Sequence, residues 1–101
     1  MRVIILLLFT GIGTSALASE IETMVCENPR REYQVRFARS ENSFLADKTA
    51  YRILAVEETS EKLIVVGVTV GDGPTFRAHF KPYKKMEFFS DSQLQQTDGC
   101  R

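Results

Sequence analysis

The chain has 101 residues, in which 13 Lys and Arg are balanced by 13 Asp and Glu. This balance disfavours nucleic-acid binding as a main role, because proteins that bind nucleic acid usually carry an excess of positive charge. The length is sufficient for one small domain, which can bury only a modest core.

The first 18 residues have the three parts of a secretory signal. Arg2 is positive, Val3 to Phe9 is apolar, and Ala16-Leu17-Ala18 has the small-residue pattern of a cleavage site. The apolar run is shorter than the roughly 20 residues that span a bilayer, and Cys26 lies too far beyond Ala18 for a lipoprotein. We predict cleavage of residues 1–18, which leaves a periplasmic or secreted domain, residues 19–101, without a stable membrane anchor.

Two cysteines, Cys26 and Cys100, lie close to the two ends of this domain. In an oxidising compartment we expect one disulfide that ties these ends together. A metal or redox site is disfavoured because there is no CxxC motif and the only other likely ligand is His79. We therefore expect neither a metal nor a cofactor.

The first half of the domain is predicted to begin with a flexible lead-in, residues 19–23, before the ordered part. Glu32 to Phe37 alternates polar and apolar residues, which is the pattern of a half-buried strand. The next segment, Ala38 to Lys48, is predicted to be a loop that contains the apolar pair Phe44-Leu45, and a short helical turn is also compatible with it.

Tyr51 to Val56 is predicted to be a strand, because Tyr, Ile and Val favour pleated surfaces. A helix over Asp47 to Glu61 is the alternative, since Ala50, Leu54 and Glu58 are spaced by four residues. Periodicity alone does not separate the two in so short an apolar run. Strand or helix at residues 47–57 therefore stays open.

The densest β-signal is a hairpin of two strands, Leu63 to Val70 and Thr75 to Phe80. The first is apolar on both faces, which is typical of a central strand. The intervening turn contains two glycines that can adopt positive φ and a proline that cannot donate to a ladder. In the second strand Phe76, Ala78 and Phe80 are predicted to face the core, whereas Thr75, Arg77 and His79 are predicted to face outwards.

After the turn Lys81 to Lys85, we predict a strand over Met86 to Phe89 and a polar edge strand over Gln93 to Thr97. Turn signals recur about every ten residues along the domain. This pattern predicts an all-β fold, a small antiparallel β-meander of about 6–8 strands that forms a barrel or a sandwich.

No catalytic motif accompanies these elements. His79 is the only histidine, and a lone histidine on a strand is more often a surface residue than a general base. Glu57, Glu58 and Glu61 are crowded into one turn, which favours a solvated acidic loop over a paired-carboxylate site. We therefore expect that the protein is not an enzyme.

The basic turn is the stronger candidate for a binding site. Lys84 and Lys85 lie next to Tyr83, with Lys81 and Arg77 nearby in sequence. Lysines that protect a strand edge are one interpretation. The other is a cationic loop with an aromatic anchor that docks into an acidic cleft of a protein partner.

An exported β-meander of this length with a cysteine at each end resembles the small periplasmic lysozyme inhibitors of Gram-negative bacteria. Inhibitors of C-type lysozyme carry a Ser-Gly-x-x-Tyr signature in a loop and the following strand. The corresponding stretch here is Asp72-Gly73-Pro74-Thr75-Phe76, which keeps the glycine but has Asp for Ser and Phe for Tyr. An Asp pushed towards two carboxylates would be repelled unless one of them is protonated.

The resemblance implies an inhibitor of a lysozyme or related muramidase, in which Lys84 or Lys85 supplies a cation to the cleft. The expected partner-binding residues lie in the two turns and on the strand between them: Asp72, Gly73, Thr75, Arg77, Tyr83, Lys84 and Lys85. Two alternatives are a carrier of a small apolar ligand inside the barrel and an envelope assembly or stress factor without an enzyme target. We expect Phe37, Phe76, Phe80 and Phe88 to fill the interior, which disfavours the carrier.

Overall fold

The computed structural model describes residues 20–101, so the predicted leader, residues 1–18, lies outside the described residues. Eight antiparallel strands form a closed barrel in which neighbours in the chain are neighbours in the sheet. Within residues 20–101 no helix is long and apolar enough to cross a membrane. The strands are β1 (Ile21–Glu27), β2 (Glu32–Ala38), β3 (Ser43–Ala46), β4 (Thr49–Glu58), β5 (Leu63–Val68), β6 (Thr75–Lys81), β7 (Lys85–Ser90) and β8 (Gln93–Cys100).

The barrel closes where the last strand meets the first. Cys26 lies opposite Cys100 in this pairing, and the two are joined by the predicted disulfide across 74 positions of sequence. Backbone hydrogen bonds of 3.0 and 2.9 Å between Val25 and Arg101 extend the contact. The prediction that the last strand is an edge strand is wrong, because β8 pairs with β7 on one side and with β1 on the other.

The core fills the inside of the barrel, as the alternation along the strands predicts. Phe76 is fully buried with its ring centroid 4.7 Å from that of Phe44 and 5.5 Å from that of Tyr51. Gly67 makes room for this ring, since a Cβ atom there would lie 2.5 Å from Phe76 Cζ and 2.5 Å from the backbone oxygen of Arg52. Phe37 and Phe80 are buried, and Phe88 packs against the core.

The long-range pairing corrects two local predictions and decides a third between its alternatives. Part of the predicted loop after β2 is strand β3, because Phe44 pairs with Phe37 in the ladder and is buried in the core. Ile21 to Thr23, predicted as a flexible lead-in, belong to β1 and pair with β2. The strand predicted over residues 51–56 is confirmed as part of β4, and the helical alternative is wrong.

Strand β5 is covered on both faces, as predicted for a central strand. It ends at Val68, however, and Val70 is 72% exposed in the following turn. That turn is closed by hydrogen bonds from Thr69 N to Pro74 O, 2.9 Å, and from Gly73 N to Val70 O, 3.0 Å. Residues 69 and 70 therefore leave the sheet because they take part in the turn.

The meander places its turns at two ends of the barrel. One end, called the lysine-turn end, carries the turns at residues 39–42, 59–62 and 82–84. The other, called the glycine-turn end, carries the turns at residues 28–31, 47–48, 69–74 and 91–92. The strand β6 runs from the glycine-turn end to the lysine-turn end.

Candidate functional site

The lysine turn, Lys81–Lys85, projects an aromatic ring and a cation from one end of the barrel. Tyr83 is 59% exposed and Lys84 is also exposed, whereas Lys85 is half-buried. The peptide bond between Lys81 and Pro82 is cis. Cys100 donates its backbone N–H to the carbonyl of Lys84, 3.2 Å, so the turn is fastened to the strand that carries the disulfide.

A polar cluster on β6 and β7 supports this turn from below. Glu87 accepts a hydrogen bond of 2.6 Å from His79 Nε2 and lies 3.4 Å from the Lys85 ammonium. The ring of Tyr83 stacks near that of His79, with centroids 6.4 Å apart, and Lys85 Nζ lies 5.1 Å from the Tyr83 ring centroid. The turn therefore rests on fixed partners, with Tyr83 and Lys84 left accessible.

The charge state of Glu87 follows from these contacts. Burial alone raises the pKa of this carboxyl, but the hydrogen bond from His79 and the charges of His79 and Lys85 outweigh it. The pKa of Glu87 consequently lies below its ordinary value, so the group is an ionised acceptor at neutral pH. Lys85 is thereby committed to an internal ion pair.

His79 differs from its prediction. It lies opposite Ile64 on the outer side of the sheet, yet it is only 9% exposed because the neighbouring side chains cover it. Its hydrogen bond goes to Glu87, and in residues 20–101 no hydrogen bond or ion pair joins it to a Ser, Thr or Cys. The contact positions a carboxylate and the Tyr83 ring, and it is not a pair of nucleophile and base.

The glycine turn, Gly71–Thr75, lies at the opposite end of β6. Gly71 has φ +64°, and a Cβ atom on Gly73 would lie 2.3 Å from Thr69 Oγ1, so both positions need glycine. Asp72 and Thr75 are exposed and line a groove of about 290 Å³ together with residues 89–92. Phe76, which stands where the signature of the lysozyme inhibitors has Tyr, is buried in the core.

The structure therefore divides the predicted binding residues into two groups. A strand of seven residues at about 3.3 Å per residue separates the two turns by roughly 20 Å. Arg77 lies between them, half-buried and paired in register with Glu87. The two turns therefore lie at opposite ends of β6 and do not meet. The two groups are Asp72, Gly73 and Thr75 at one end, and Tyr83, Lys84 and Lys85 at the other.

The predicted acidic loop is a neighbour of the lysine turn. Glu57 lies 3.5 Å from Lys62 Nζ, and Thr59, Glu61, Lys62 and Pro82 line an open groove of about 680 Å³ between the two turns. Glu58 binds Arg39, whose hydrogen bond is the main cause that holds the pKa of Glu58 below its ordinary value. Glu57 and Glu58 thus take part in ion pairs and are not simply solvated.

Arg39 covers the barrel at this end. Its guanidinium lies 3.0 Å from Glu22 of β1 and contacts Glu58 of β4 at 2.5 Å, and it lies 5.8 Å from the ring centroid of Phe37. The side chains of the two glutamates are 21% and 32% exposed. This group of charges links strands that do not pair with each other.

A second polar arrangement, not anticipated from the sequence, lies at the glycine-turn end. Tyr33 donates its hydroxyl to the buried carboxylate of Asp98, and Gln96 Nε2 donates to the same carboxylate at 2.7 Å. A recess of about 110 Å³ adjoins it, lined in part by Tyr51 and Phe88. The available signal was Tyr33, since a tyrosine predicted to face a core needs a partner for its hydroxyl.

Residues 20–101 hold no group of three or more His, Cys, Asp or Glu that could bind a metal ion. Comparison with protein-family models, with curated proteins and with solved structures gives no match to the chain.

Proposed function

We propose that the protein is an exported binding protein that inhibits a lysozyme or related muramidase by inserting the lysine turn into an acidic cleft. The observation that carries the proposal is the exposure of Tyr83 and Lys84 at the tip of a turn whose base is held by fixed contacts. Aromatic anchors contribute strongly to protein interfaces, and a cation steers the encounter with an acidic surface.

The support under the turn favours a rigid inhibitor. Lys85 is held by Glu87 and Tyr83 stacks near His79, so little conformational freedom is lost when a partner binds. The disulfide between Cys26 and Cys100 supports an oxidising compartment outside the cytoplasm. The disulfide agrees with a role in the periplasm or outside the cell.

Lys84 is the better candidate for the inserted cation, since Lys85 is already paired with Glu87. Asp72 contributes nothing to this contact, because it lies about 20 Å away along β6 and carries the charge that an acidic cleft repels. The mode of binding therefore differs from one in which a signature loop and a lysine loop enter together.

The carrier alternative has less support. Phe44, Phe76, Met24, Leu63 and Met86 are fully or almost fully buried inside the barrel, where an apolar ligand would have to lie. An assembly or stress factor without an enzyme target is distinguished by experiment, since it would bind no muramidase.

Inhibition of a panel of muramidases tests the proposal, with three variants of the inhibitor measured against the most sensitive enzyme. We expect Lys84→Ala and Tyr83→Ala to weaken inhibition by about tenfold or more each, as interface anchors do. Lys48→Ala is the matched control, because Lys48 is an exposed lysine at the glycine-turn end. Lack of binding to every enzyme, or an equal loss for Lys48→Ala, would contradict the proposal.

A further inference from the structure

The mouth of the barrel at the glycine-turn end holds a recess that the lysine turn does not use. The recess has a volume of about 110 Å³, and three aromatic side chains and one carboxylate are among the groups that line it. These four residues are Tyr33, Tyr51, Phe88 and Asp98. Asp98 is paired in register with the fully buried Met86, so its carboxylate points to the inside of the barrel.

The carboxylate of Asp98 is buried without a cationic partner. The residue is 2% exposed, and its two hydrogen-bond donors, the Tyr33 hydroxyl and the Gln96 amide, are both neutral. Among residues 20–101 no ion pair with an N–O distance of 4.0 Å or less involves Asp98. A buried charge is costly unless an opposite charge matches it. The recess beside Asp98 is therefore a suitable place for a cation.

Arg31 also lines the recess, but its charge is matched elsewhere. Its guanidinium pairs with Asp47, and the side chain of Arg31 is 62% exposed. Asp47 is held in place because it accepts a hydrogen bond of 2.9 Å from the backbone N–H of Gln34. Arg31 thus lies at the rim, where Asp47 offsets its repulsion of a second cation.

The recess offers the two kinds of contact that bind an alkylammonium group. A carboxylate has about four lone-pair positions, and two hydrogen bonds to Asp98 leave the others for a further N–H donor. Aromatic rings attract cations through their faces and also cover apolar stems. Two of the rings are fixed by packing, since Tyr51 lies 5.5 Å from Phe76 between ring centroids and Phe88 packs against the core. The small side chain of Ala46 lines the same space.

A second groove adjoins the recess and gives access to it. The groove has a volume of about 320 Å³ and shares Asn28 and Gln96 with the recess. The turn that forms its wall is fixed, because Asn28 Oδ1 accepts hydrogen bonds from the backbone N–H groups of Arg30, 2.8 Å, and Arg31, 3.0 Å. An ammonium group in the recess therefore has room for a short stem that extends into the groove.

We propose that the recess binds a primary ammonium group on a short apolar stem, with the ammonium donating to Asp98 and the stem lying against Tyr51 and Phe88. An organic cation suits the site better than a metal ion, since residues 20–101 hold no group of three or more His, Cys, Asp or Glu that could bind one. The recess and the lysine turn lie at opposite ends of the barrel. The proposal is therefore independent of the inhibition of a muramidase.

Titration with butylammonium, followed by NMR on labelled protein purified from cells that express the full chain, tests the proposal. We expect saturable shifts of the backbone amides of Tyr33, Gln96 and Asp98. The neutral isostere 1-butanol should bind at least about tenfold more weakly, because it lacks the charge that strengthens the hydrogen bond to Asp98. Absence of saturable shifts at these residues, or equal binding of 1-butanol, would overturn the proposal.

Two variants test the charge and the place separately. Asp98→Asn keeps an acceptor for the Tyr33 hydroxyl but removes the charge, so it should weaken butylammonium binding at least about tenfold. Asp91→Asn is the matched control, because Asp91 is exposed at the same end outside the recess and asparagine tolerates its φ of 52°. Ala46→Leu should abolish binding by filling the recess while Asp98 stays. Equal affinities of the two asparagine variants, or unchanged binding by Ala46→Leu, would overturn the proposal.

A second probe identifies the source of the ammonium group. Nα-acetyl-lysine N-methylamide carries the same group on a blocked peptide unit. Tighter binding of this probe than of butylammonium would identify a lysine side chain of another polypeptide, and weaker binding would identify a free small amine. Either result supports the site provided that Asp98→Asn weakens the binding of both probes, and binding that does not depend on Asp98 would overturn it.

Discussion

The two ends of the barrel are covered by different polar chemistry. At the lysine-turn end Arg39 joins Glu22 and Glu58, whose side chains are 21% and 32% exposed. At the glycine-turn end Tyr33 and Asp98 are 7% and 2% exposed and are joined by a hydrogen bond. Partly exposed ion pairs are weak and sensitive to salt, whereas a buried hydrogen bond is costly to break. The difference predicts that substitutions at the lysine-turn end, which carries the proposed binding turn, destabilise the protein less than substitutions at the glycine-turn end.

Removal of the Asp98 carboxylate should have the largest effect. We expect Asp98→Ala to lower the free energy of unfolding by about 2 kcal/mol, because the buried Tyr33 hydroxyl is left without an acceptor. Urea unfolding at pH 7 measures this loss. Adding Tyr33→Phe to the variant should restore part of it, since the stranded hydroxyl is then removed as well. A loss below about 0.5 kcal/mol, the usual range for surface substitutions, would contradict the prediction that the glycine-turn end is sensitive to substitution.

Removal of the Arg39 guanidinium should have a smaller effect that depends on salt. We expect Arg39→Ala to lower the free energy of unfolding by about 1 kcal/mol at low salt. This loss should shrink in 1 M salt, where the Debye length is about 3 Å. Arg31→Ala is the control at the other end, because Arg31 and its partner Asp47 are 62% and 40% exposed. An Arg39→Ala effect that does not change with salt would contradict the view that Arg39 stabilises the protein through partly exposed ion pairs.

Alkaline conditions should weaken the glycine-turn end. Burial, followed by the hydrogen bond to Asp98, raises the pKa of Tyr33 well above its ordinary value. The unfolded tyrosine ionises near pH 10 while the folded one keeps its proton, so this contribution is complete below pH 10 and falls above it. Urea unfolding should show a loss of about 1 kcal/mol at pH 11 that is missing in Tyr33→Phe. Identical alkaline profiles of the two proteins would be the contrary result.

Acidic conditions should produce the smallest effect, at the lysine-turn end. The hydrogen bond from Arg39 lowers the pKa of Glu58, so the folded state binds this proton less readily than the unfolded state. The resulting stability is present above the ordinary glutamate pKa and is lost as the pH falls through the lower folded value. Glu58→Gln should reduce the dependence of stability on pH between about 5 and 3 by a few tenths of a kcal/mol, given solvent screening. An unchanged profile would count against the pairing.

The sequence was sufficient for the parts of the fold that depend on local alternation. Strand β2 was predicted because Tyr33, Val35 and Phe37 recur with a period of two, and the disulfide followed from the positions of two cysteines. Strand β3 was not predicted, because four residues give little periodicity and Phe44 is fixed by its pairing with β2. Tertiary pairing therefore decided this strand.

The candidate site was predictable only in part, for a related reason. Tyr83 and Lys84 are neighbours in the turn, so their combination is visible in the sequence. The support beneath them was missed because His79 and Glu87 meet only through the hairpin. Tyr33 and Asp98 are separated by 65 positions, and no short pattern links them. The two predicted turns lie at opposite ends of the barrel because β6 runs from one to the other. The positions of the loop residues in the sequence do not show this direction.

The covalent link between β1 and β8 also determines how the molecule carries mechanical load. Cys26 and Cys100 have their Cα atoms 4.0 Å apart, one near each end of the described chain. Tension applied through the two termini would pass from one cysteine to the other through the sulfur atoms. Residues 27–99, which include the lysine turn, lie outside that covalent path, so the force cannot extend them while the bond is intact.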